Sequence, residues 1–118
     1  MPTFVIIFDY SSAAWARMLK VTDDRVSAIS TVMDHFHGSL IGAYWEVRTA
    51  SAWIIANLPD SVTAAAVITA ATKTGAFKGI QVHEVLNQHQ FIDMKALAQS
   101  ADGVYRPPGL DAVASEVQ

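Results

Sequence analysis

The sequence contains no cysteine among its 118 residues. Disulfide bonds, thiolate zinc sites and thiol nucleophiles are therefore excluded. Charged residues are also scarce, at 16% of the chain, and the formal net charge at pH 7 is −3. The eight basic residues are scattered and form no stripe along the sequence. Because nucleic acid binding depends on clustered positive charge, no nucleic acid partner is expected.

Long apolar runs are missing as well, although hydrophobic residues make up 52% of the chain. No run approaches the roughly 20 residues that cross a membrane. The apolar start, MPTFVIIFDY, has no basic segment and is too short for the hydrophobic part of a signal peptide. These features predict no membrane partner and a cytoplasmic location. They also predict that part of the apolar surface is covered by another subunit.

Sequence motifs for cofactors are absent too. The chain has no Gly-rich phosphate loop, no paired-carboxylate spacing and no nucleophile elbow. His35 and His37 are close in sequence, but residues two apart on a helix diverge, and no carboxylate stands at ligand spacing. We therefore expect no cofactor, no metal ion and no heme, which leaves acid–base groups as the available chemistry.

The most informative stretch is LIGAYWEVRTASAWIIANL, residues 40–58. Its β-branched and aromatic residues predict two strands, 40–47 and 52–58, separated by a break at 48–51. Residues 3–10 predict a first strand and residues 79–86 a fourth. The first strand is apolar on both faces, a pattern typical of a strand that is covered on both sides.

Four helices are predicted between and after these strands. A short one covers 13–19, and a longer one opens at Thr22-Asp23-Asp24 and runs to about residue 36 with one apolar stripe. Arg25 lies mostly off that stripe. Asp60 caps the third helix and Gly75 ends it. The polar segment NQHQ is predicted as a connection to a last helix over 93–101.

The predicted order is β-α-β-β-α-β with a C-terminal helix, an α+β, ferredoxin-like plan. Right-handed crossovers place both main helices on one face of a four-stranded antiparallel sheet. The other face is left bare although its residues are apolar, so we expect two sheets to pack face to face in a homodimer. The predicted organisation is a single domain over 1–103 and a C-terminal tail over 104–118.

Three segments of the sequence resemble the GYD-domain family: MPTFVIIF, GAYWEV followed by SAWIIANLPD, and VYRPPG. The resemblance runs from residue 1 to about 109 and implies the fold of the dimeric α/β-barrel superfamily. That superfamily includes muconolactone isomerase, cofactor-independent monooxygenases and heme proteins. The family's Gly-x-Tyr-Asp motif is replaced here by Arg48-Thr49-Ala50-Ser51. The resemblance therefore implies a fold and no residue roles.

Two residues are the candidates for acid–base catalysis, His83 and Asp9. His83 lies within the fourth predicted strand, and imidazole titrates near neutral pH, which suits a general base. A hydrogen-bonded histidine in the dimer interface is the alternative. Asp9 ends the first strand, where a turn or capping role is the alternative. His89 is placed in the polar connection and expected to be solvated.

Six further residues are candidates for contacts with a substrate: Tyr10, Tyr44, Trp45, Trp53, Asn57 and His37. The aromatic ones are equally suited to the core or the interface, and Trp53 is expected to be buried in either. We expect the first and third strands to run parallel, which would gather Asp9, Tyr10 and Asn57 at one end of the sheet. Glu46 and Arg48 are expected to form an ion pair.

Two functions remain open. One is a small cofactor-independent enzyme that uses a pocket between the sheet and the helices. Its acid–base chemistry would be isomerisation, cyclisation or dehydration of a hydrophobic, aromatic or polyketide-like small molecule. The alternative is a non-catalytic dimeric module that binds a ligand or a partner. The enzyme requires a cavity beside a titratable residue, whereas the binding module requires only a cavity or an exposed patch.

Overall fold

The computed structural model describes residues 1–109. Its elements are β1 (Thr3–Tyr10), α1 (Ser12–Met18), α2 (Arg25–His35), β2 (Ser39–Trp45), β3 (Ala52–Asn57), α3 (Ser61–Thr72), β4 (Phe77–Val85) and α4 (Gln88–Gln99). Met1–Val85 forms one compact unit, and a second begins at Leu86. The predicted α+β, ferredoxin-like fold is confirmed. Of the predicted tail over 104–118, residues 110–118 lie outside the described part.

The four strands form one antiparallel sheet in the order β2-β3-β1-β4. The expectation that the first and third strands run parallel is wrong, because Thr3 lies opposite Asn57 and Phe8 opposite Ala52. The helical crossover makes β1 and β2 point the same way, and the short turn after β2 reverses β3. Since β3 then lies between β2 and β1, it runs against both. Asp9 and Asn57 therefore lie at opposite ends of the sheet.

Each helix begins after a residue whose side chain accepts a hydrogen bond from the amide three residues on: Ser11, Asp24, Asp60 and Asn87. The last of these corrects the sequence prediction. Asn87 and Gln90 form a capping box, so α4 starts at Gln88 and the NQHQ segment is mostly helical. His89 consequently lies inside α4, with its Nε2 3.6 Å from Oδ2 of Asp93.

The hydrophobic core of the first unit lies between one face of the sheet and the helices. We call this side the helix face. It carries the buried alternate residues of β1 and β3: Phe4, Ile6, Phe8, Tyr10, Ala52, Ile54 and Ala56. Met33 of α2 and Ala64 and Val67 of α3 join the same buried cluster. The predicted placement of both main helices on one face is confirmed.

The opposite side of the sheet, called the open face here, is apolar but only partly covered. Val5 and Ile7 of β1 are half-buried there. Tyr44 of β2 and Trp53 of β3 lie opposite each other and are 62% and 41% exposed. Trp53 is therefore outside the core of the single chain, and its predicted burial depends on a second subunit.

The helices within residues 1–109 are all too short or too polar to span a membrane.

Candidate functional site

The predicted site residues divide between the two faces of the sheet. Strand register places five on the open face: Asp9, Tyr44, Trp53, Asn57 and His83. Two others, Tyr10 and Trp45, lie on the helix face, where Trp45 is opposite Ala52. His37 follows α2 in a turn and has a positive φ of 61°. The structure therefore does not bring the eight residues into one site.

His83 and Asp9 share the open face but are not in contact. His83 lies opposite Val5 and Asp9 opposite Gly79, so the two are offset by four positions along the strands. At about 3.3 Å per residue this is a spacing of about 13 Å. His83 is exposed, and its Nε2 lies 3.4 Å from Oε1 of Gln81. Each of the two residues would therefore meet a different part of a small molecule on this face.

Asp9 belongs to a hydrogen-bonded chain of carboxylates and hydroxyls at one end of the open face. The Ser51 hydroxyl donates to Oδ1 of Asp9, and the hydroxyls of Ser51 and Thr49 are 2.9 Å apart. The Thr49 hydroxyl also donates to Oε2 of Glu46 over 2.7 Å. Sequence analysis missed Ser51 and Thr49, although short hydroxyl residues in a turn after a carboxylate are typical of side chain to backbone hydrogen bonding.

Glu46 holds the turn between β2 and β3 in shape. Its carboxylate accepts from the backbone amides of Arg48 and Thr49 over 3.1 and 2.8 Å. The Thr49 hydroxyl, followed by these two amides, lowers the pKa of the Glu46 carboxyl. The expected ion pair is present, with Nε of Arg48 3.6 Å from Oε1 of Glu46, but Arg48 is 86% exposed. The turn's order therefore comes chiefly from hydrogen bonds.

A cavity of about 420 Å³ lies between the helix face of the sheet and helices α2 and α3. Its volume falls within the range of roughly 300–1,000 Å³ found for small-molecule sites. The apolar side chains that line it include Ile29, Val32, Met33, Val67, Ile68 and Ile80. Arg25 is the one charged residue in its lining, and neither Asp9 nor His83 belongs to it among the residues described.

Two neighbouring cavities of about 240 and 450 Å³ adjoin the same region. Arg25 lines all three cavities, and Tyr10 lines the two neighbours. Trp45 belongs to the larger of these neighbours. The two helix-face candidates from the sequence, Tyr10 and Trp45, therefore lie near the apolar cavity of about 420 Å³, on the side where Arg25 stands.

The polar side of this region includes Tyr10, Arg25 and Asp23. Burial raises the pKa of the Tyr10 phenol, while the nearby Trp45 side chain and the Arg25 charge oppose that shift. Tyr10 is therefore a protonated hydrogen-bonding group at neutral pH, not a base. Nη1 of Arg25 lies 3.5 Å from Oδ2 of Asp23. Nε of Arg25 is buried and has no hydrogen-bond partner within residues 1–109.

Metal ligands do not cluster in the described part of the chain. Within residues 1–109, no three histidine or acidic side chains are grouped closely enough to hold an ion. The expectation that the protein uses no metal ion, heme or other cofactor stays a prediction.

The comparisons with known proteins gave one match. The family model described as GYD domain matches residues 4–94. Neither the curated proteins nor the solved structures contain a match to this chain. The matched segment covers the four strands except Thr3 and helices α1 to α3, so it includes both the helix-side cavity and the open face.

Proposed function

This chain belongs to the GYD-domain family, and we propose that it binds a small hydrophobic molecule, of aromatic or polyketide-like type, in the cavity between its sheet and its helices. The observation that carries the proposal is the cavity itself, about 420 Å³ of space lined almost entirely by apolar side chains. A well-packed domain interior has few voids larger than a water molecule. A space of this size among such side chains is suited to an apolar guest.

The energetics of the cavity favour a ligand over water. Its lining offers Arg25 and Thr74 as polar residues, so water inside would find few partners. An apolar ligand would instead gain about 25 cal/mol for each Å² of apolar surface removed from water. Contacts with Val32, Ile68 and Ile80 would supply that burial from α2, α3 and β4.

The geometry favours binding over catalysis in this cavity. The sequence candidates for a base, Asp9 and His83, lie on the other face of the sheet. Tyr10 and Asp23 line the neighbouring cavities, but burial raises the pKa of Tyr10, so it stays protonated, and Asp23 is paired with Arg25. A cavity without a base supports the binding module, which we place ahead of the enzyme.

A matched pair of valines in α2 tests the proposal. Val32 lines the cavity and is 40% exposed, whereas Val26 is 43% exposed and is not part of the lining described. Val32→Phe should fill the cavity and weaken binding of 2-naphthamide, measured by isothermal titration calorimetry, at least tenfold. Val26→Phe should bind like the unmodified protein. Equal losses in the two variants, or no binding to the unmodified protein, would reject the cavity as the site.

A second candidate function rests on a separate observation. Asp9, hydrogen-bonded to Ser51, lies on the same face as the exposed aromatic pair Tyr44 and Trp53. A carboxylate beside aromatic walls supports proton abstraction from an activated aromatic substrate, without a cofactor. Deuterium uptake from solvent into a β-keto aromatic ester, followed by NMR, would test it. Asp9→Asn should slow uptake at least about tenfold, and an unchanged rate would exclude Asp9 as the base.

We also propose that two copies of the chain pair through the open face. The support is the apolar character of that face, with Tyr44 and Trp53 exposed and Val5 and Ile7 only half-buried in the single chain. Exposed apolar patches on a single chain often mark an interaction site. Because the helix-side cavity lies on the other side of the sheet, pairing would leave it accessible. The cytoplasmic location stays a prediction from the sequence.

A further inference from the structure

We propose that the molecule bound in the cavity is a hydrophobic carboxylic acid, whose carboxylate is held by Arg25. This inference rests on the proposed binding function and names the ligand class of the same site. An apolar body would fill the space between the sheet and helices α2 and α3. The acid group would lie at the side of the cavity where Arg25 stands.

The first support is the position of Arg25. It lines the apolar cavity of about 420 Å³ and both neighbouring ones, so it stands where the three spaces approach one another. It is also the one charged residue in the described lining of that apolar cavity. A ligand with an apolar body and a single anionic group would match this distribution of charge.

The second support is an unsatisfied donor. Nε of Arg25 is buried and has no hydrogen-bond acceptor within residues 1–109. A buried donor without a partner costs free energy, and nearly all buried polar groups in proteins are paired. A carboxylate oxygen on Nε would remove that cost. The planar guanidinium is suited to the task because it can donate two parallel hydrogen bonds to one carboxylate.

The charges around Arg25 permit an anionic ligand. Asp23 is the acidic residue paired with it, through Nη1 at 3.5 Å, and both side chains are about two-fifths exposed. A pair as exposed as this contributes little stability, so a ligand can compete with Asp23 for the guanidinium. Arg17 lines the cavity of about 240 Å³ and adds a second positive charge. The protonated Tyr10 phenol, in the same lining, is a further donor.

Two probes with the same ring system separate the acid group from the apolar body. They are 2-naphthoate, which is anionic at neutral pH, and 2-naphthamide, which is neutral and nearly the same shape. Calorimetry on the full chain at pH 7 should show at least about tenfold tighter binding of the naphthoate, the factor that one charge-assisted hydrogen bond supplies. Arg25→Gln should abolish this preference, because it should weaken binding of the naphthoate far more than binding of the amide.

Three other variants sharpen the test. Arg25→Lys keeps the charge but loses the Nε donor and should keep only part of the preference, which provides a second measurement if Arg25→Gln folds poorly. Asp23→Asn removes the competing carboxylate and should tighten naphthoate binding. Arg48→Gln removes a positive charge from the turn between β2 and β3, which lines none of the three cavities described, and should change neither affinity.

The outcomes distinguish this inference from the proposed function. Equal affinities for the two probes in the unmodified protein, or a preference that survives in both Arg25 variants, would overturn the role of Arg25 while leaving the cavity as a binding site. Failure of both probes to bind would overturn the proposed function and the inference together. If Arg48→Gln lost the preference for naphthoate as fully as Arg25→Gln, the preference would reflect general attraction between the protein and an anion. That result would overturn the inference.

Discussion

Tyr10 is the last residue of β1, and its ring packs among the aromatic rings of Phe8, Trp15 and Phe77, with centroids 5.3–5.6 Å away. Only 5% of the residue is exposed. Ionising the phenol in this place would leave a charge with little water around it. Burial therefore raises the pKa above the ordinary value of 10.0.

This shift predicts a specific loss of stability at alkaline pH. The folded chain holds the Tyr10 proton more tightly than the unfolded chain, so the stabilisation is complete below pH 10.0 and is lost as pH rises through the higher folded pKa. Denaturant unfolding at a series of pH values should show this decline, and Tyr10→Phe should make it shallower. An equally steep decline in the variant would mean that other groups cause it.

At the scale of single residues, the sequence supplies candidate residues for a site. Which face of the sheet each side chain meets depends on its position in the strand, because side chains alternate. Asp9 and Tyr10 are neighbours in sequence and were expected together in one site, yet β1 places them on opposite faces of the sheet. Arg25 was missed because helical periodicity places it off the apolar stripe of α2. Its side chain lines the cavities all the same, because Arg25 is the first residue of that helix.

At the scale of elements, Gly38 joins α2 to β2 at a point of close backbone approach. A Cβ atom there would collide with the carbonyl oxygen of Asn57 and come within 2.7 Å of Cδ2 of Leu58. Leu58 is completely buried, so its side chain has little room to move. The end of β3 therefore passes against Gly38 with no space for a larger residue.

Gly38→Ala is accordingly predicted to lower the free energy of unfolding by about 1–3 kcal/mol, the usual cost of forcing an extra methyl group into a packed site. Gly79→Ala is the matched control, because a Cβ at Gly79 in β4 would have no atom within 4 Å. Urea unfolding of both variants checks the prediction. Similar stability of the two would show that β3 does not approach Gly38 this closely.

The sequence predicts the elements themselves well where one physical cause dominates. The bounds of β1 agree with the prediction residue for residue, because an apolar run between Pro2 and Ser11 leaves little freedom. The sequence did not predict the start of α4, because the polar residues Asn87 and Gln90 are also typical of a connection. The structure shows that they form a capping box, in which each side chain accepts a hydrogen bond from the other residue's backbone amide. The prediction of strand direction failed for a different reason. The relative direction of β1 and β3 follows from the order in which the crossovers place the strands in the sheet.

At the scale of the whole molecule, the open face should join two copies of the chain. Light scattering at micromolar concentration is predicted to give about twice the chain mass of 12.8 kDa. Ile7 lies in the middle of β1 on the open face, opposite Trp53 and Gln81. Ile7→Glu would place a charge in the interface, where it would lack a partner, and should shift the protein towards the monomer.

Val62→Glu is the control for this prediction, because Val62 is 79% exposed on α3, away from the open face. It should leave the dimer intact. A monomeric unmodified protein, or a dimer that tolerates Ile7→Glu, would show that the open face is not the interface.

The position of a bound molecule is the most direct test of the proposed binding site. Methyl NMR spectra of the full chain, recorded while 2-naphthoate is added, report on both sides of the sheet at once. We predict that shift changes are centred on methyl groups that line the helix-side cavity, including those of Ile29, Val32, Ile68 and Ile80. Val5, Ile7 and Ile55 carry methyl groups on the open face, where Ile55 lies opposite Val5. Shift changes centred on those residues, with the cavity methyl groups unchanged, would contradict the proposed site.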